Sequence, residues 1–256
     1  MIVLKNKEEI EKIRSSCSIV VDILMRLSEK VEPGISTYEL DKIAEDMAKK
    51  NGARPAFKGY RDYPGSVCFA MNQEVVHGIP SKKKIVKDGD ILGMDFGIYK
   101  DGYYGDSAIT TAIGEVDDRT LNLLKITRES LYKGIEQAKP KNNLFDISSA
   151  IQDHVEQNGY SIVRTFVGHG IGASLHEDPQ VPNFVPKNSG WSKGGKLKPG
   201  MVIAIEPMVN IGSPDVKILK DGWTAVTVDG ELSAHFEHTV AITENGPDIL
   251  TEFGVI

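Results

Sequence analysis

Residues 95 to 106, Asp95-Phe96-Gly97-Ile98-Tyr99-Lys100-Asp101-Gly102-Tyr103-Tyr104-Gly105-Asp106, constrain the fold more than any other stretch. Asp101-Gly102 lies between two runs rich in Ile, Phe and Tyr, the strongest short-range signal for a hairpin closed by a two-residue turn. Counting outward from that turn sets Lys100 opposite Tyr103, Ile98 opposite Gly105 and Asp95 opposite Ala108. Asp106 is then two positions from Asp95's partner, and the two aspartates are diagonal neighbours on one face. Carboxylates this close on an otherwise apolar strand repel each other and lose hydration unless a proton or a cation neutralises them. A metal ion is the simplest answer; two turn-flanking aspartates facing water are the alternative.

The flanking sequence is helical in pairs. Ile10, Ile13, Cys17, Val20, Val21, Leu24 and Leu27 recur at helical spacing from residue 7 to about 30, where Pro33-Gly34 ends the element. Ser36 with Glu39 reads as a capping box for a second helix, with Leu40, Ala44 and Ala48 on one face and Asn51-Gly52 as its stop. Leu121, Leu124, Leu131 and Ile135 suggest a third helix ending before Pro140, and Ile147, Ile151 and Val155 a fourth, running to Asn158-Gly159. The two Asn-Gly stops are 107 residues apart, and the same offset superimposes Leu40, Ala44 and Ala48 on Ile147, Ile151 and Val155. This is read as a degenerate internal duplication, roughly 1–113 and 114–256, within one domain.

Strands are expected after each helix pair. In the first half they are Val67 to Met71, Val75 to His77 and the hairpin arms at 91–99 and 103–112. In the second they are Ile162 to Val167, Val202 to Val209, Trp223 to Val228 and Ala234 to Ile242, the last two joined by a turn at Asp229-Gly230. Pro182 to Gly200 reads as a loop. Helices outside a mostly antiparallel sheet make an α+β architecture with pseudo-twofold symmetry.

Composition narrows the setting. A net charge of −6 over 256 residues argues against broad nucleic-acid binding, and Lys82-Lys83-Lys84 reads as a solvated loop. Two cysteines, Cys17 and Cys68, suit a reducing compartment and form no disulfide or zinc-finger framework. The charged N-terminal stretch and the absence of a long apolar run lead to the expectation of a cytoplasmic protein with no membrane association.

Three further residues join the aspartates. His169 is flanked by glycines that allow close backbone approach, so its imidazole can be aimed inward with room beside it. Glu206 interrupts the apolar run Val202-Ile203-Ala204-Ile205, where it is either a ligand or a strand end reaching water. Glu237 lies on the face opposite Phe236 and Val240. Four carboxylates and one histidine in one core need cations, and two divalent ions balance the charge. Oxygen-rich ligation without thiolate suits Mn, Fe, Co or Zn better than a structural zinc site, with Asp106 and Glu237 the natural bridging pair.

The strings Asn72-Gln73-Glu74-Val75-Val76-His77-Gly78-Ile79-Pro80, Lys100-Asp101-Gly102-Tyr103-Tyr104-Gly105-Asp106, Gly168-His169-Gly170-Ile171-Gly172, Leu175-His176-Glu177, Ile205-Glu206-Pro207-Met208 and Glu237-His238-Thr239 resemble the methionine aminopeptidases, in this order and over nearly the whole chain. The resemblance is to the shorter, type I form, since only 31 residues separate Glu206 from Glu237. It implies the pita-bread fold, two pseudo-symmetric halves around a central curved sheet, and a dinuclear centre ligated by Asp95, Asp106, His169, Glu206 and Glu237. It also implies hydrolysis of an N-terminal methionine, followed by a small residue, from a nascent polypeptide, with a metal-bound water as nucleophile.

On the same ground, Glu206 doubles as a proton shuttle, His176 hydrogen-bonds the scissile carbonyl, and His77 contacts the scissile amide or the developing tetrahedral centre. The methionine side chain would enter a pocket of Phe57, Tyr60, Tyr63, Cys68, His77, Leu175 and Trp223, where aromatic faces and sulfur suit a thioether. Relatives often carry Phe where this chain has Leu175, which implies a more open pocket. His154, His235 and His238 are read as structural.

A monomer in transient contact with the ribosome is expected, with the loop at Lys82 to Lys84 as the candidate contact. The rivals are a prolidase or aminopeptidase P, in which a sizeable domain precedes the catalytic one, and a metal-free binding protein on the same fold. The chain's own second residue is the bulky Ile2, so Met1 is expected to be retained. Intact-mass spectrometry should find the full mass; a species lighter by one methionine contradicts this.

Overall fold

The computed structural model describes residues 2–186 and 194–253. Four helices form where apolar spacing predicts them: α1 (Lys7–Lys30), α2 (Thr37–Lys50), α3 (Asp118–Ile135) and α4 (Leu144–Gln157). The Ser36–Glu39 box is present, with the Glu39 amide donating to Ser36 Oγ at 3.2 Å and the Ser36 amide donating to Glu39 Oε2 at 2.9 Å. Asn143 begins α4 in a related way, its amide donating to Asp146 Oδ2 at 2.7 Å. Helices α2 and α4 each have 14 residues, start 107 positions apart, and bury the matching sets Leu40, Ala44, Ala48 and Ile147, Ile151, Val155. In α3, however, Leu121 faces solvent and Leu123 is buried. Thr127, Ser130 and Gly134 complete that inward face, and their small or polar side chains hide it from a count of apolar residues.

The strands, in chain order, are β1 (Arg54–Pro55), β2 (Cys68–Met71), β3 (Glu74–Val76), β4 (Ile91–Lys100), β5 (Tyr103–Ala112), β6 (Ser161–Ile162), β7 (Gly168–Gly170), β8 (Glu177–Val181), β9 (Val202–Ile205), β10 (Met208–Asn210), β11 (Val216–Ile218), β12 (Ala225–Thr227), β13 (Ser233–His235), β14 (Glu237–Thr243) and β15 (Gly246–Ile249). Nine form an antiparallel sheet in the order β1-β4-β5-β14-β9-β7-β8, with β2 also on β4 and β15 also on β14. Two three-stranded sheets, β13-β10-β6 and β11-β12-β3, flank it. The hairpin register is the expected one: Lys100 opposite Tyr103, Ile98 opposite Gly105, Asp95 opposite Ala108.

Three strand expectations are corrected. Val202 to Val209 and Ala234 to Ile242 are each broken, after Ile205 and at Phe236, and their outer pieces β10 and β13 pair with each other in a separate sheet. Pro207 at the first break has no N–H to continue a ladder. Residues 163–167 are an irregular connection rather than strand. Asp229-Gly230 does not join β12 to β13 as a hairpin, since β12 pairs with β11 and β3. The Asp229 carboxylate instead accepts the Ser213 and Glu231 amides at 2.6 and 3.1 Å, which organises a wider turn. Within the loop expected at 182–200, residues 187–193 lie outside the described residues.

Helix α1 lies across β4 and β5 and buries Ile13, Cys17, Val20, Ile23, Leu24 and Leu27, each worth about 1.5–3 kcal/mol relative to exposure for the larger aliphatic ones. The crossing is close: Ser16 Oγ donates to the Tyr103 carbonyl at 3.0 Å, and a Cβ on Gly105 would stand 2.5 Å from the Cys17 amide nitrogen. Backbone cannot retreat as a side-chain tip can. Gly105→Ala should therefore cost about 2–3 kcal/mol, read as a lower urea midpoint at unchanged slope; an unchanged midpoint refutes this account of the crossing.

Candidate metal centre

Sheet register gathers the acidic residues. Asp95 on β4 and Glu237 on β14 both stand opposite Ala108 of β5, so their side chains share one face with a small methyl between them. Asp106 is two residues from Ala108 and takes the same face. Ile205 pairs with His238, which brings Glu206, just past the end of β9, level with Glu237. Side chains lock this alignment, Ser107 Oγ donating to the Glu237 carbonyl at 2.6 Å and Thr239 Oγ1 to the Asp106 carbonyl at 2.7 Å. Asn183 Nδ2 donates to the Glu206 carbonyl at 3.0 Å.

His169 reaches the group from β7, which is squeezed between β8 and β9. A Cβ on Gly168 would stand 2.3 Å from the Ala204 carbonyl oxygen and one on Gly170 2.2 Å from that of Asp178, so this approach requires the two glycines. The His169 Nδ1–H can donate to the Gly170 carbonyl at 2.9 Å, leaving Nε2 bare toward the cavity, 3.7 Å from Glu206 Oε1.

Ligand atoms of Asp106, His169 and Glu237 all lie within 4.8 Å of one another. Asp95 and Glu206 line the same cavity of about 290 Å³ without falling inside that tightest group. Asp95 Oδ1, Asp106 Oδ1 and Glu237 Oε1 are buried and have no hydrogen-bond partner, and no Lys or Arg among the described residues pairs with any of the four carboxylates. Burial pushes the Asp95 carboxyl up to about 8, and raises Asp106, Glu206 and Glu237 well above the carboxylate range, with neighbouring carboxylates adding to the effect. The same desolvation lowers His169 to about 4, so its imidazole is neutral at pH 7. Orphaned carboxylate oxygens converging with a bare neutral imidazole nitrogen are the donor set a divalent cation takes, and these residues fit one.

Every residue singled out from sequence lines this cavity: His77, His176 and Glu206, the other four candidate ligands, and Phe57, Tyr60, Tyr63, Cys68, Leu175 and Trp223. Tyr60 belongs to a short 3-10 turn at 60–62, and His176 Nδ1 lies 2.9 Å from its hydroxyl, with the His169 and His176 rings 4.2 Å apart. His77 adopts φ +61, uncommon for a side-chain-bearing residue, and is lowered to about 4 by burial; its ring packs edge-on against Phe166 and Trp223. Tyr63 packs edge-on against Trp223 at 5.1 Å and its hydroxyl donates to the Gly78 carbonyl at 2.8 Å, supporting the His77 loop.

The sequence reading missed Arg61, Val76, Thr165, Phe166, Val167 and Met208 as lining residues. Several adjoin a residue it did name, and sequence adjacency was the available signal. It also set aside His235, which is buried with Nε2 unpartnered and 3.9 Å from Glu206 Oε2. His154 and His238 do not line the cavity: His154 pairs with Glu129, and His238 packs between Thr251 and Tyr132. The lysine run is less free than expected, because Lys84 Nζ contacts both Glu74 oxygens at 2.7 Å.

An antiparallel sheet that presents carboxylates and a histidine to one apolar-walled cavity defines a metallopeptidase of the pita-bread class. The family model described as metallopeptidase family M24 matches residues 11–244, and the chain belongs to that family. It is 53% identical to methionine aminopeptidase 1 of Bacillus subtilis over 98% of this chain and 99% of that one, and 43% identical to methionine aminopeptidase of Escherichia coli over 97% and 93%. The crystal structure of methionine aminopeptidase from Thermotoga maritima superposes with a TM-score of 0.94 at 45% identity, covering 98% of this chain and all of that one. The prolidase from Pyrococcus horikoshii superposes with a TM-score of 0.80 at 25% identity, and only 64% of that chain is covered.

The raised carboxyls set a pH dependence. A carboxyl held near 8 when folded and near 4 when unfolded keeps its proton in the folded state across that interval, so stability falls as pH rises through it. Thermal melts of the chelated protein should show Tm dropping from pH 5 to pH 8, and excess Mn should flatten that slope; a slope that survives saturating metal refutes the assignment.

Proposed function

We propose that this chain is a metal-dependent aminopeptidase that hydrolyses the N-terminal methionine from polypeptides with a small second residue. The observation that carries the reading is the convergence, in one cavity, of orphaned buried carboxylates with an aromatic-lined wall. Asp95, Asp106, His169, Glu206 and Glu237 would hold two divalent ions of the Mn, Fe, Co or Zn group, two ions balancing four carboxylates. Bound there, such ions supply Lewis acidity and bring the pKa of water toward neutrality.

The chain's own residues do the rest. The substrate methionine enters between Tyr63, Cys68 and Trp223, with Phe57, Tyr60 and Leu175 completing the wall, and its sulfur meets aromatic edges. Glu206, as a carboxylate whose burial raises its affinity for a proton, would take a proton from water and pass it to the departing amine. His176 is neutral, its pKa lowered by burial and by His169; with the Tyr60 hydroxyl donating to Nδ1, its proton is on Nε2 and can be donated to the scissile carbonyl oxygen as charge builds. Neutral His77, held by its φ +61 backbone, contacts the scissile amide from the other side.

The 107-residue offset between α2 and α4 supports reading one catalytic domain as an internal duplication of 1–113 and 114–256. Among the described residues no helix is long and apolar enough to cross a membrane; a cytoplasmic monomer working near the ribosome is part of this proposal. Lys82 and Lys83, exposed beside the committed Lys84, are the candidate contact.

The test is hydrolysis of Met-Ala-Ser and Met-Leu-Ser after chelation, with and without added Mn or Co. Methionine should leave the first peptide only, and only with metal; no release with any metal overturns the reading. His176→Ala should then lower kcat roughly 10²- to 10³-fold with metal content unchanged, and a loss of bound metal would place His176 among the ligands instead.

A further inference from the structure

We propose that Lys5 is a positioning residue for His176, acting through Glu177; the inference rests on the role proposed above for His176. Lys5 precedes the first helix, yet it is 6% exposed. Its ammonium lies 2.5 Å from Glu177 Oε2 and 3.1 Å from the Val3 carbonyl. The other oxygen of the same carboxylate, Oε1, accepts the Ser174 amide at 3.0 Å. Glu177 therefore has one oxygen on the turn that carries His176 and the other on the N-terminal segment.

The surroundings leave this turn little freedom while the pair is intact. The Gly172 amide donates to the Ser174 carbonyl at 3.1 Å, and the Tyr104 amide donates to the Gly172 carbonyl at 2.9 Å. A Cβ on Gly172 would stand 2.5 Å from Lys5 Cε and 2.8 Å from Glu177 Oε1, so the lysine stem lies directly against the turn. The Lys5 amide donates to the Gly200 carbonyl at 2.7 Å, which ties the same segment to the approach to β9. His176 is the residue between this clamp and the cavity, and its ring meets Tyr60 and His169.

An ion pair at such a place does not stabilise the fold more than packed apolar side chains of equal volume would, because both charges give up hydration. What it supplies is direction. Without the ammonium, the Glu177 carboxylate has water within reach on its open side, turns toward it and releases the Ser174 amide. The 172–177 turn then samples other shapes, and the His176 ring spends less time aimed at the carbonyl oxygen it serves. Because that interaction strengthens as charge develops, the loss falls on kcat. The methionine pocket is built mainly from β2, the 57–63 segment and Trp223, with Leu175 the one named wall residue on the turn, so KM moves little.

The experiment uses the metal-loaded full chain as wild type, Lys5→Met, Glu177→Gln and the double variant. With Met-Ala-Ser, kcat should fall about 10-fold in Lys5→Met, of the order expected when a catalytic group is displaced by a fraction of an ångström, with KM within about twofold of wild type. Glu177→Gln should behave alike, and the double variant should be no slower than the slower single. Hydrogen exchange read by mass spectrometry should speed up in peptides spanning 170–177 and stay unchanged in β9 and β14. A kcat within twofold of wild type, multiplying losses in the double variant, or unchanged exchange at 170–177 overturns the proposal. Should Lys5→Met fail to fold, Glu177→Gln carries both readouts. If wild type releases no methionine, the proposed function fails, and exchange alone still decides whether Lys5 braces the turn.

Discussion

Burial of like charge at the centre of the large sheet is the constraint on which the rest of the structure depends. Asp95, Asp106, Glu206 and Glu237 surround one cavity, three of their oxygens have no hydrogen-bond partner, and burial drives all four toward the protonated state. A sheet tolerates such an arrangement only if its register is firm, since a one-residue slip would send every one of these side chains to the other face. The two-residue turn at Asp101-Gly102 pins one pairing, and hydroxyls of Ser107, Thr110 and Thr239 bonded to strand carbonyls pin the next. The apolar face of α1 supplies burial energy directly behind the hairpin. A divalent cation held among these oxygens would offset that charge, and the donor set fits such an ion.

The same desolvation has the opposite consequence for the histidines. His77 and His169 are lowered to about 4 and so carry no charge at neutral pH, which leaves each imidazole with one N–H and one bare nitrogen. Their aim depends on backbone that ordinary residues avoid or cannot fit: the positive φ of His77, and the strand of Gly168 and Gly170 pressed between carbonyls. Aromatic rings then hold the imidazoles, Phe166 and Trp223 around His77, Tyr60 against His176.

Much of this was legible in the chain, for identifiable reasons. The helices announced themselves because their signals are local: periodic apolar residues, Ser36 with Glu39, and Asn-Gly stops. The β4–β5 register was legible because a two-residue turn leaves one way to pair. The failures were equally physical. Glu206-Pro207 and Phe236 lie where strands leave one sheet for another, and apolar alternation does not record which sheet a residue joins. Asp229-Gly230 resembles a hairpin turn, but its carboxylate is engaged by the Ser213 amide from a distant loop. Leu121 and Leu123 are equally apolar; only the packing partner of α3 decides which is buried.

The sequence by itself determined the chemistry available: which residues are acidic, which strands are apolar enough to bury them, and that two aspartates must share a face. It also carried the motif order that marks the family. Only the tertiary structure decided that Glu237 would stand opposite the same Ala108 that faces Asp95, that His235 would come within 3.9 Å of Glu206, and that Lys5 would meet Glu177 across 172 positions of chain. The physical reason is the same in each case: local signals set the conformation of a segment, whereas electrostatic and packing partners are chosen by which segments the folded core brings together.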